Sequence, residues 1–275
     1  MSREELKKDR PPARLFCALS QNKERNIVLR RGPSRQVAIF GWNRNNDTFQ
    51  LGQWLKGKVY DHRLDISPDG KHFIYLALGR GGNTWTAVSR TPYFKAVDFY
   101  PWSGTWGGGG IFHNSRSYAL NGSCQIEEAR RESGLSLIDV EKSQGVGRVH
   151  HASLYSQRLL RDGWSWMSSS VQTGDHTTRF DKQYSKNWIL RKCIKEGTRP
   201  NRSIEFEYHE LVRVGDGLTK EMPDWEWAEV DDNMLVWAEH GCLYRAQLDR
   251  QGMLVRQKLI HDFNDYIFEE RVAPY

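Results

Sequence analysis

Short runs of strand-forming residues recur along this chain, and turn residues separate them. The clearest example is residues 64–78 (LDISPDGKHFIYLAL), where two apolar runs flank Ser67-Pro68-Asp69-Gly70. Proline fixes φ at the first corner of a turn, and glycine supplies the positive φ needed at its end. The pattern therefore predicts a β-hairpin. Helical periodicity is nearly missing, and its best candidate is the short segment 124–131.

The number of such runs predicts one all-β domain. About twenty strand-like segments follow residue 14, and four of them fall within residues 64–100. Four antiparallel strands of this length make one propeller blade. We therefore expect residues 14–275 to form a single β-propeller of five four-stranded blades, preceded by a flexible charged arm over residues 1–13. A β-sandwich is the alternative, because short strands and turns are common to both folds.

Two segments resemble the repeat of WD40-like, TolB-type propellers, whose blades carry an SPDG hairpin. Residues 64–78 contain this hairpin, and residues 226–237 (EWAEVDDNMLVW) resemble a degenerate copy with Asp231-Asp232-Asn233 in its place. The Gly-His and Trp-Asp signatures of true WD40 repeats do not occur in these segments. The resemblance implies the propeller fold and says little about function.

The two ends of the chain carry opposite charge. Residues 1–35 contain ten basic and four acidic side chains, whereas residues 221–275 contain five basic and twelve acidic ones. We expect the fold to bring the ends together by pairing residues 14–19 with strands near residues 266–272. The opposite charges would then largely neutralise each other, which weakens the net charge of +6 as an indication of nucleic-acid binding.

The sequence predicts a cytoplasmic protein with no membrane partner. No stretch approaches the roughly 20 apolar residues that span a bilayer, and the charged N-terminal residues lack the apolar region of a signal peptide. Four cysteines lie far apart, with no Cys-x-x-Cys pair among them: Cys17, Cys124, Cys193 and Cys242. This spacing favours reduced thiols over a disulfide or zinc framework.

Residues 99–112 (FYPWSGTWGGGGIF) form the most unusual segment of the sequence. Four consecutive glycines cost backbone entropy, so we expect them where the chain bends sharply or admits another group closely. Large indoles beside such a loop are suited to binding. Trp102, Trp106, Gly107 and Gly108 are therefore candidate binding residues. The alternative is a glycine-rich crossover between blades, with both indoles packed over the core.

Two other pairs of tryptophans alternate along the chain, in Trp164-Ser165-Trp166 and Trp225-Glu226-Trp227. Residues two apart in a strand lie on the same face, so each pair places two indoles side by side. Packing between blades is the favoured interpretation of this pattern. Trp164 and Trp166 also enter the set of candidate binding residues.

Residues 179–202 form a basic cluster, in which eight basic side chains accompany only Asp181 and Glu196. Basic and aromatic residues interleaved in this way could hold phosphates while rings stack on bases. The candidate residues of this cluster are Lys186, Trp188, Arg191 and Lys192. The alternative is a solvated or aggregation-blocking face of charged strands.

An enzyme is the remaining alternative, because propeller glycoside hydrolases use paired carboxylates. Strand-like runs carry six candidates, namely Asp65, Asp98, Asp181, Glu205, Glu207 and Glu229. The sequence contains no Gly-x-Ser-x-Gly elbow, P-loop or metal-ligand spacing. We therefore assign no catalytic, cofactor-binding or metal-binding residue and expect no cofactor.

These observations together predict a non-enzymatic interaction module, a binding scaffold or regulatory subunit of a cytoplasmic assembly of bacterial type. The expected partner is another protein or a multiprotein complex. A nucleic-acid-binding propeller subunit that uses residues 179–202 is the first alternative function, and a glycoside hydrolase-like enzyme is the second.

Overall fold

A computed structural model describes residues 11–33, 35–122, 128–138, 151–172, 175–199 and 202–275. These residues form two compact units. The first comprises Phe16–Arg158 and Tyr266–Tyr275, and the second comprises Pro12–Leu15 and Leu159–Asp265. Both units consist mainly of antiparallel β-strands, which confirms the predicted all-β class. The prediction of a five-bladed propeller within one domain stays a prediction.

An eight-stranded sheet dominates the first unit, with the strands in the order β1-β2-β3-β4-β5-β6-β7-β10. All of the registers resolved between its neighbouring strands are antiparallel. Its strands are β1 (Arg14–Ala18), β2 (Asn26–Arg31), β3 (Gln36–Asn43), β4 (Thr48–Ile66), β5 (His72–Gly79), β6 (Thr84–Arg90), β7 (Ala96–Trp102) and β10 (Arg130–Arg131).

Strand β4 is 19 residues long and belongs to two four-stranded meanders, β1–β4 and β4–β7. Its first half pairs with β3 from Thr48 to Lys56, and its second half pairs with β5 from Gly57 to Ile66. The register shifts between Tyr60 and Asp65, which marks an irregularity in the pairing.

The predicted SPDG hairpin is confirmed between β4 and β5. The amide of Gly70 donates to the carbonyl of Ser67 at 2.8 Å, and the Ser67 hydroxyl donates to Asp69 at 2.7 Å. Gly70 adopts φ of +70°, and a Cβ placed there would lie 2.2 Å from the carbonyl oxygen of Arg25. Glycine is therefore required both by the turn geometry and by the backbone of a neighbouring turn.

A three-stranded sheet completes the first unit, in the order β11-β9-β8. It consists of β8 (Gly110–Asn114), β9 (Ser117–Leu120) and the short β11 (Ser136–Leu137), which pairs with β9 in parallel. Aliphatic and aromatic side chains from both sheets bury one another in a common core. Its members include Ile74, Val88, Val97, Tyr100, Phe112, Tyr118 and Leu120.

The second unit contains two antiparallel sheets. The five-stranded sheet runs in chain order through β12 (Ser165–Gln172), β13 (Asp175–Gln183), β14 (Trp188–Arg199), β15 (Arg202–Arg213) and β16 (Thr219–Met222). The four-stranded sheet runs through β17 (Trp227–Asp231), β18 (Met234–Glu239), β19 (Cys242–Leu248) and β20 (Leu254–Asp262).

Two-residue turns connect β17 to β18 and β18 to β19, as the turn residues predicted. Asp232 and Asn233 adopt φ of 50° and 58°, and His240 and Gly241 adopt φ of 49° and 77°. Positive φ at both central residues suits the twist of a tight hairpin, and Asn, Asp and Gly tolerate it best. The segment that resembles a degenerate SPDG repeat is thus a meander built on another type of turn.

The described part of the chain includes an α-helix, α1 (His151–Arg161), that was not predicted from the sequence. Its side chains at positions 154, 155, 158 and 159 are buried, which is helical spacing. The pattern escapes sequence analysis because one of these positions is Arg158. Its guanidinium is buried and donates to the carbonyl of Leu64. Of residues 124–131, the best helical candidate in the sequence, residues 130 and 131 form β10, and residues 124–127 lie outside the described part.

The expected pairing of residues 14–19 with residues 266–272 is not observed. Strand β1 lies beside β2, and residues 266–272 contain no strand. The rings of Tyr266 and Phe268 instead pack against other aromatic rings. The ring centres of Tyr266 and Phe40 lie 4.7 Å apart, and those of Phe268 and Trp54 lie 5.9 Å apart.

No helix in the described part of the chain is long and apolar enough to cross a membrane. Residues 1–10 of the predicted N-terminal arm lie outside the described residues.

Candidate interaction site

The glycine-rich loop over residues 103–109 joins β7 to β8 and folds back over the sheet. The amide of Gly108 donates to the carbonyl of Asn121 at 2.8 Å, and the amide of Asn121 donates to the carbonyl of Gly109 at 3.0 Å. The amide of Gly109 donates to the Thr86 hydroxyl of strand β6 at 2.8 Å. These bonds hold the second half of the loop against the first unit.

Two of the glycines are explained by how closely other groups approach them. A Cβ on Gly107 would lie 2.4 Å from the indole of Trp102, and a Cβ on Gly109 would lie 2.2 Å from the carbonyl oxygen of Arg63. Gly109 also adopts φ of +75°, a conformation that L side chains rarely adopt. The glycine run therefore lets the loop backbone lie directly on its support, as the crossover interpretation expected.

Arg63 fixes the loop from beneath. Its side chain is 1% exposed, and its Nη1 donates to the carbonyl of Gly107. Its guanidinium carbon lies 5.6 Å from the centre of the Tyr60 ring, so the cation is also held by a π face. A buried, charged donor of this kind orders the carbonyl that it binds. Sequence analysis missed Arg63, because a basic residue inside a strand gives no signal of such a partner.

The two tryptophans of the loop have different environments. The Trp102 ring is half-buried between Gly107 and Gly122. The Trp106 side chain is 79% exposed, although it directly precedes the fixed glycines. Trp102 therefore packs as the crossover interpretation expected, whereas Trp106 has the exposure expected of a binding anchor.

A row of directly paired residues crosses the end of the sheet beside this loop. Lys58 pairs with Leu78, Leu78 with Thr84, and Thr84 with Trp102, on the four adjacent strands β4 to β7. Residues paired in this way present their side chains on the same face of the sheet. Lys58 is exposed and its Nζ lies 4.1 Å from the centre of the Tyr60 ring. A cation and an indole thus border the loop on one face.

The predicted basic cluster at residues 179–202 lies in the second unit, and its candidate residues differ in environment from the expected binding face. Arg191 lies between two carboxylates: its Nε and Nη2 donate to Asp181 at 2.7 and 2.9 Å, and its Nη1 lies 3.8 Å from Glu210. The hydrogen bonds that Arg191 donates to Asp181 raise the pKa of its guanidinium. The prediction of Arg191 as a phosphate ligand is therefore disfavoured, because its guanidinium is held by a bidentate ion pair.

Lys192 is buried, at 1% exposure, so its predicted place on a binding face was wrong. Its ammonium donates to Glu207 and lies 3.2 Å from Nε2 of His209, whose Nδ1 lies 3.0 Å from the carbonyl oxygen of Trp225. Burial and then the Lys192 ammonium lower the pKa of His209, which favours the neutral ring. Nδ1–H then donates to Trp225, and Nε2 accepts from Lys192.

Trp164 and Trp188 are core residues rather than binding residues, at 2% and 1% exposure. The indole N–H of Trp164 donates to Glu229 at 3.0 Å, and the ammonium groups of Lys182 and Lys192 lie 5.6 and 5.1 Å from its ring centre. The Trp188 indole N–H donates to a backbone carbonyl at 3.2 Å. Each buried ring thus has its polar atom satisfied.

Trp166 and Lys186 are the predicted residues of this unit that are exposed. Trp166 is 56% exposed on β12, at the edge of the five-stranded sheet, where the register shifts between Trp166 and Ser168. Lys186 lies in the turn between β13 and β14. These two residues belong to the second unit, whereas the loop at Trp106 belongs to the first.

The carboxylates considered for catalysis are engaged in structural contacts. Asp65 accepts from the amide of Phe112 at 2.7 Å, and Asp98 accepts from the Tyr118 hydroxyl at 2.6 Å and from two backbone amides at 2.8 Å. Asp181, Glu207 and Glu229 bind the cations and the indole described above. The side chain of Glu205 lies outside the described residues. Within the described part, no three His, Cys, Asp or Glu side chains are grouped so that they could hold a metal ion.

Comparisons with known proteins add little to this geometry. No protein family matches the sequence, and no curated protein matches it either. Among solved structures, the chain is similar to the uncharacterized protein lmo1340 from Listeria monocytogenes EGD-e, with 9% sequence identity and a TM-score of 0.31. The match covers 88% of this chain and 93% of that one.

Proposed function

We propose that this chain is a non-enzymatic protein-interaction module whose anchor is Trp106. The observation that carries the proposal is the 79% exposure of this indole on a loop held from beneath by Arg63, Thr86 and Asn121. Tryptophan side chains are highly buried on average, so an indole this exposed is unusual, and tryptophan is enriched among interface hot spots.

The fixed backbone favours binding for a second reason. Ordering a loop on association costs free energy, and a loop ordered beforehand avoids that cost. The residues directly after Trp106 are already tied to Arg63 of β4, to Thr86 of β6 and to Asn121, which follows β9. The indole itself has few rotatable bonds, so little entropy is lost when a partner covers it.

The alternative functions receive less support from the contacts. A nucleic-acid site at residues 179–202 would need basic side chains available for phosphates, yet Arg191 and Lys192 are held by Asp181 and Glu207. A glycoside hydrolase would need two carboxylates facing one cleft. The described candidates instead serve as acceptors for backbone amides, hydroxyls and buried cations.

The finer points of the fold belong to the same proposal. We propose that the meanders β1–β4, β4–β7 with β10 at its edge, β8 with β9 and β11, β12–β16 and β17–β20 are five successive blades of a propeller. Each is a run of neighbouring strands in chain order or nearly so. We also propose a cytoplasmic location, on the wide spacing of the four cysteines.

A site-specific photo-crosslinker tests the proposed function. Ser103 is exposed in the loop, so Ser103→p-benzoylphenylalanine places the reactive ketone beside Trp106 and leaves that residue intact. Irradiation in the native cell should give a discrete protein adduct. The same crosslinker at the exposed Lys186 is the matched control. Absence of an adduct from Ser103, or an identical adduct pattern from Lys186, would contradict an interaction site at this loop.

A further inference from the structure

The Trp106 loop stands beside a cluster of exposed cations, and Gly57 lies at the centre of this cluster. The amide of Gly57 donates to the carbonyl of Arg35 at 2.8 Å, and Gly57 pairs with Gly79, which precedes Arg80. Lys56 and Lys58 flank Gly57 in the chain. The side chains of all four basic residues are exposed. We call Arg35, Lys56, Lys58 and Arg80 the cationic rim.

The strand and loop segments that carry the rim and Trp106 contain no acidic side chain, whereas Glu269 and Glu270 follow Phe268, whose ring centre lies 4.4 Å from the Lys56 ammonium. Residues 30–36, 53–60, 78–86 and 99–112 contain no Asp and no Glu. The adjoining Asp61 lies 2.7 Å from Arg31, and Asp98 is buried. The rim therefore produces a local positive potential that carboxylates of the same segments do not cancel.

Lys56 and Lys58 of the rim lie on the same sheet face as the Trp102 indole that precedes the loop. Lys58, Leu78, Thr84 and Trp102 form a paired row across four strands, so Lys58 and Trp102 are separated by three inter-strand spacings, about 14 Å in all. Trp106 follows Trp102 by four residues. A ligand of about five extended residues would reach from the rim to the loop.

We infer that this surface binds an acidic segment of a partner protein, with carboxylates on the cationic rim and an apolar side chain against Trp106. The inference rests on the proposed function and adds the chemistry of the partner. Charge complementarity of this kind speeds association and selects among partners.

The geometry favours a protein segment over a nucleic acid. Single-stranded nucleic acids are bound along a basic groove with several stacking rings in succession. Here the cations gather around one point, and Trp106 is the highly exposed indole beside them. The extended basic run at residues 179–202, which would suit a phosphate backbone better, has two of its members held in ion pairs.

Charge reversal in the crosslinking assay tests the inference. In the Ser103 crosslinker background, Lys58→Glu with Arg80→Glu should lower the adduct yield at least tenfold. Arg250→Glu with Lys258→Glu changes the net charge equally at exposed positions of the other unit and should leave the yield unchanged. If the glutamate pair lowers the melting temperature, Lys58→Ala with Arg80→Ala replaces it. An unchanged yield in the rim variant would overturn the acidic-partner inference and leave the proposed function standing.

A defined probe distinguishes the possible ligands. The full chain is titrated with a labelled twelve-residue peptide of Glu and Asp with two Leu, with its Gln and Asn counterpart, and with a twelve-nucleotide single strand. We expect the acidic peptide to bind at least tenfold more tightly than its neutral counterpart, with affinity that falls as salt rises. Equal binding of the two peptides, or tighter binding of the oligonucleotide, would overturn the inference. Loss of the Ser103 adduct together with retained peptide binding would count against the proposed function alone.

Discussion

The buried guanidinium of Arg63 on strand β4 donates to the carbonyl oxygen of Gly107, 44 residues further along the chain. This contact joins the long strand of the main sheet to the loop that carries Trp106. It gives the loop a fixed conformation that its own glycine-rich sequence would not supply. The conformation of the proposed site therefore depends on Arg63 as much as on the exposed indole.

Replacing Arg63 should loosen the loop and destabilise the first unit. Arg63→Met retains much of the side-chain volume but leaves the Gly107 carbonyl without its donor. We expect a loss of about 1.5–3 kcal/mol in the free energy of unfolding, since the bond involves a charged group. Denaturant unfolding measures this. Arg80→Met, at an exposed position, should stay within about 0.5 kcal/mol of wild type. Equal stability of the two variants would show that Arg63 does not support the loop.

Two glycines of the same loop allow the stability cost of steric overlap to be measured separately from the cost of backbone strain. Gly104 and Gly109 both adopt positive φ, at +84° and +75°, but only Gly109 has neighbours where a Cβ would lie. Gly104→Ala should cost about 1–2 kcal/mol through the left-handed conformation alone. Gly109→Ala should cost about 1–3 kcal/mol more, because its Cβ would overlap the Arg63 backbone. The comparison is made by denaturant unfolding, and similar costs would mean that the loop does not lie on β4.

The part of the fold that sequence analysis reached is the part governed by local chemistry. The SPDG turn at Gly70 and the turns at Asn233 and Gly241 were predictable, because each requires residues that tolerate positive φ. Helix α1 was not, since Arg158 interrupts its apolar face and finds its partner, the Leu64 carbonyl, far away in the sequence.

The candidate site was predictable in part for the same reason. The glycine run marked the loop at residues 103–109 as a place of close approach, and Trp106 as a possible anchor. Within the basic run at residues 179–202, the charges of Arg191 and Lys192 are compensated across strands. Asp181 faces Arg191 from β13, and Glu207 reaches Lys192 from β15. Cross-strand register decides these pairs, and the sequence alone does not specify it.

His209 should make stability depend on pH. Burial and Lys192 lower its pKa in the folded protein, so below the ordinary value near 6.5 the unfolded chain takes up a proton that the folded chain refuses. Stability is therefore lost as pH falls below that value. His209→Asn can retain a donor toward the Trp225 carbonyl and removes the titration. Between pH 7.5 and 5.5, wild type should lose about 1 kcal/mol more than this variant in urea unfolding.

The exposed His240 provides the control for that comparison. Its side chain is 62% exposed, and His240→Asn removes an imidazole without touching the Lys192 cluster. Its unfolding free energy should follow the wild-type pH dependence. If the unfolding free energy of His209→Asn shows the same pH dependence as wild type, protonation of the His209 ring does not cause that dependence.

The adduct yield of the Ser103 crosslinker, with and without Trp106→Ala, shows whether Trp106 anchors the binding of a partner protein. An exposed anchor contributes to binding and little to folding, so Trp106→Ala should leave the free energy of unfolding within about 0.5 kcal/mol of wild type. The same variant should lower the adduct yield at least tenfold, as truncation of a hot-spot tryptophan does. An adduct yield equal to wild type in this folded variant would contradict Trp106 as the anchor of an interaction site.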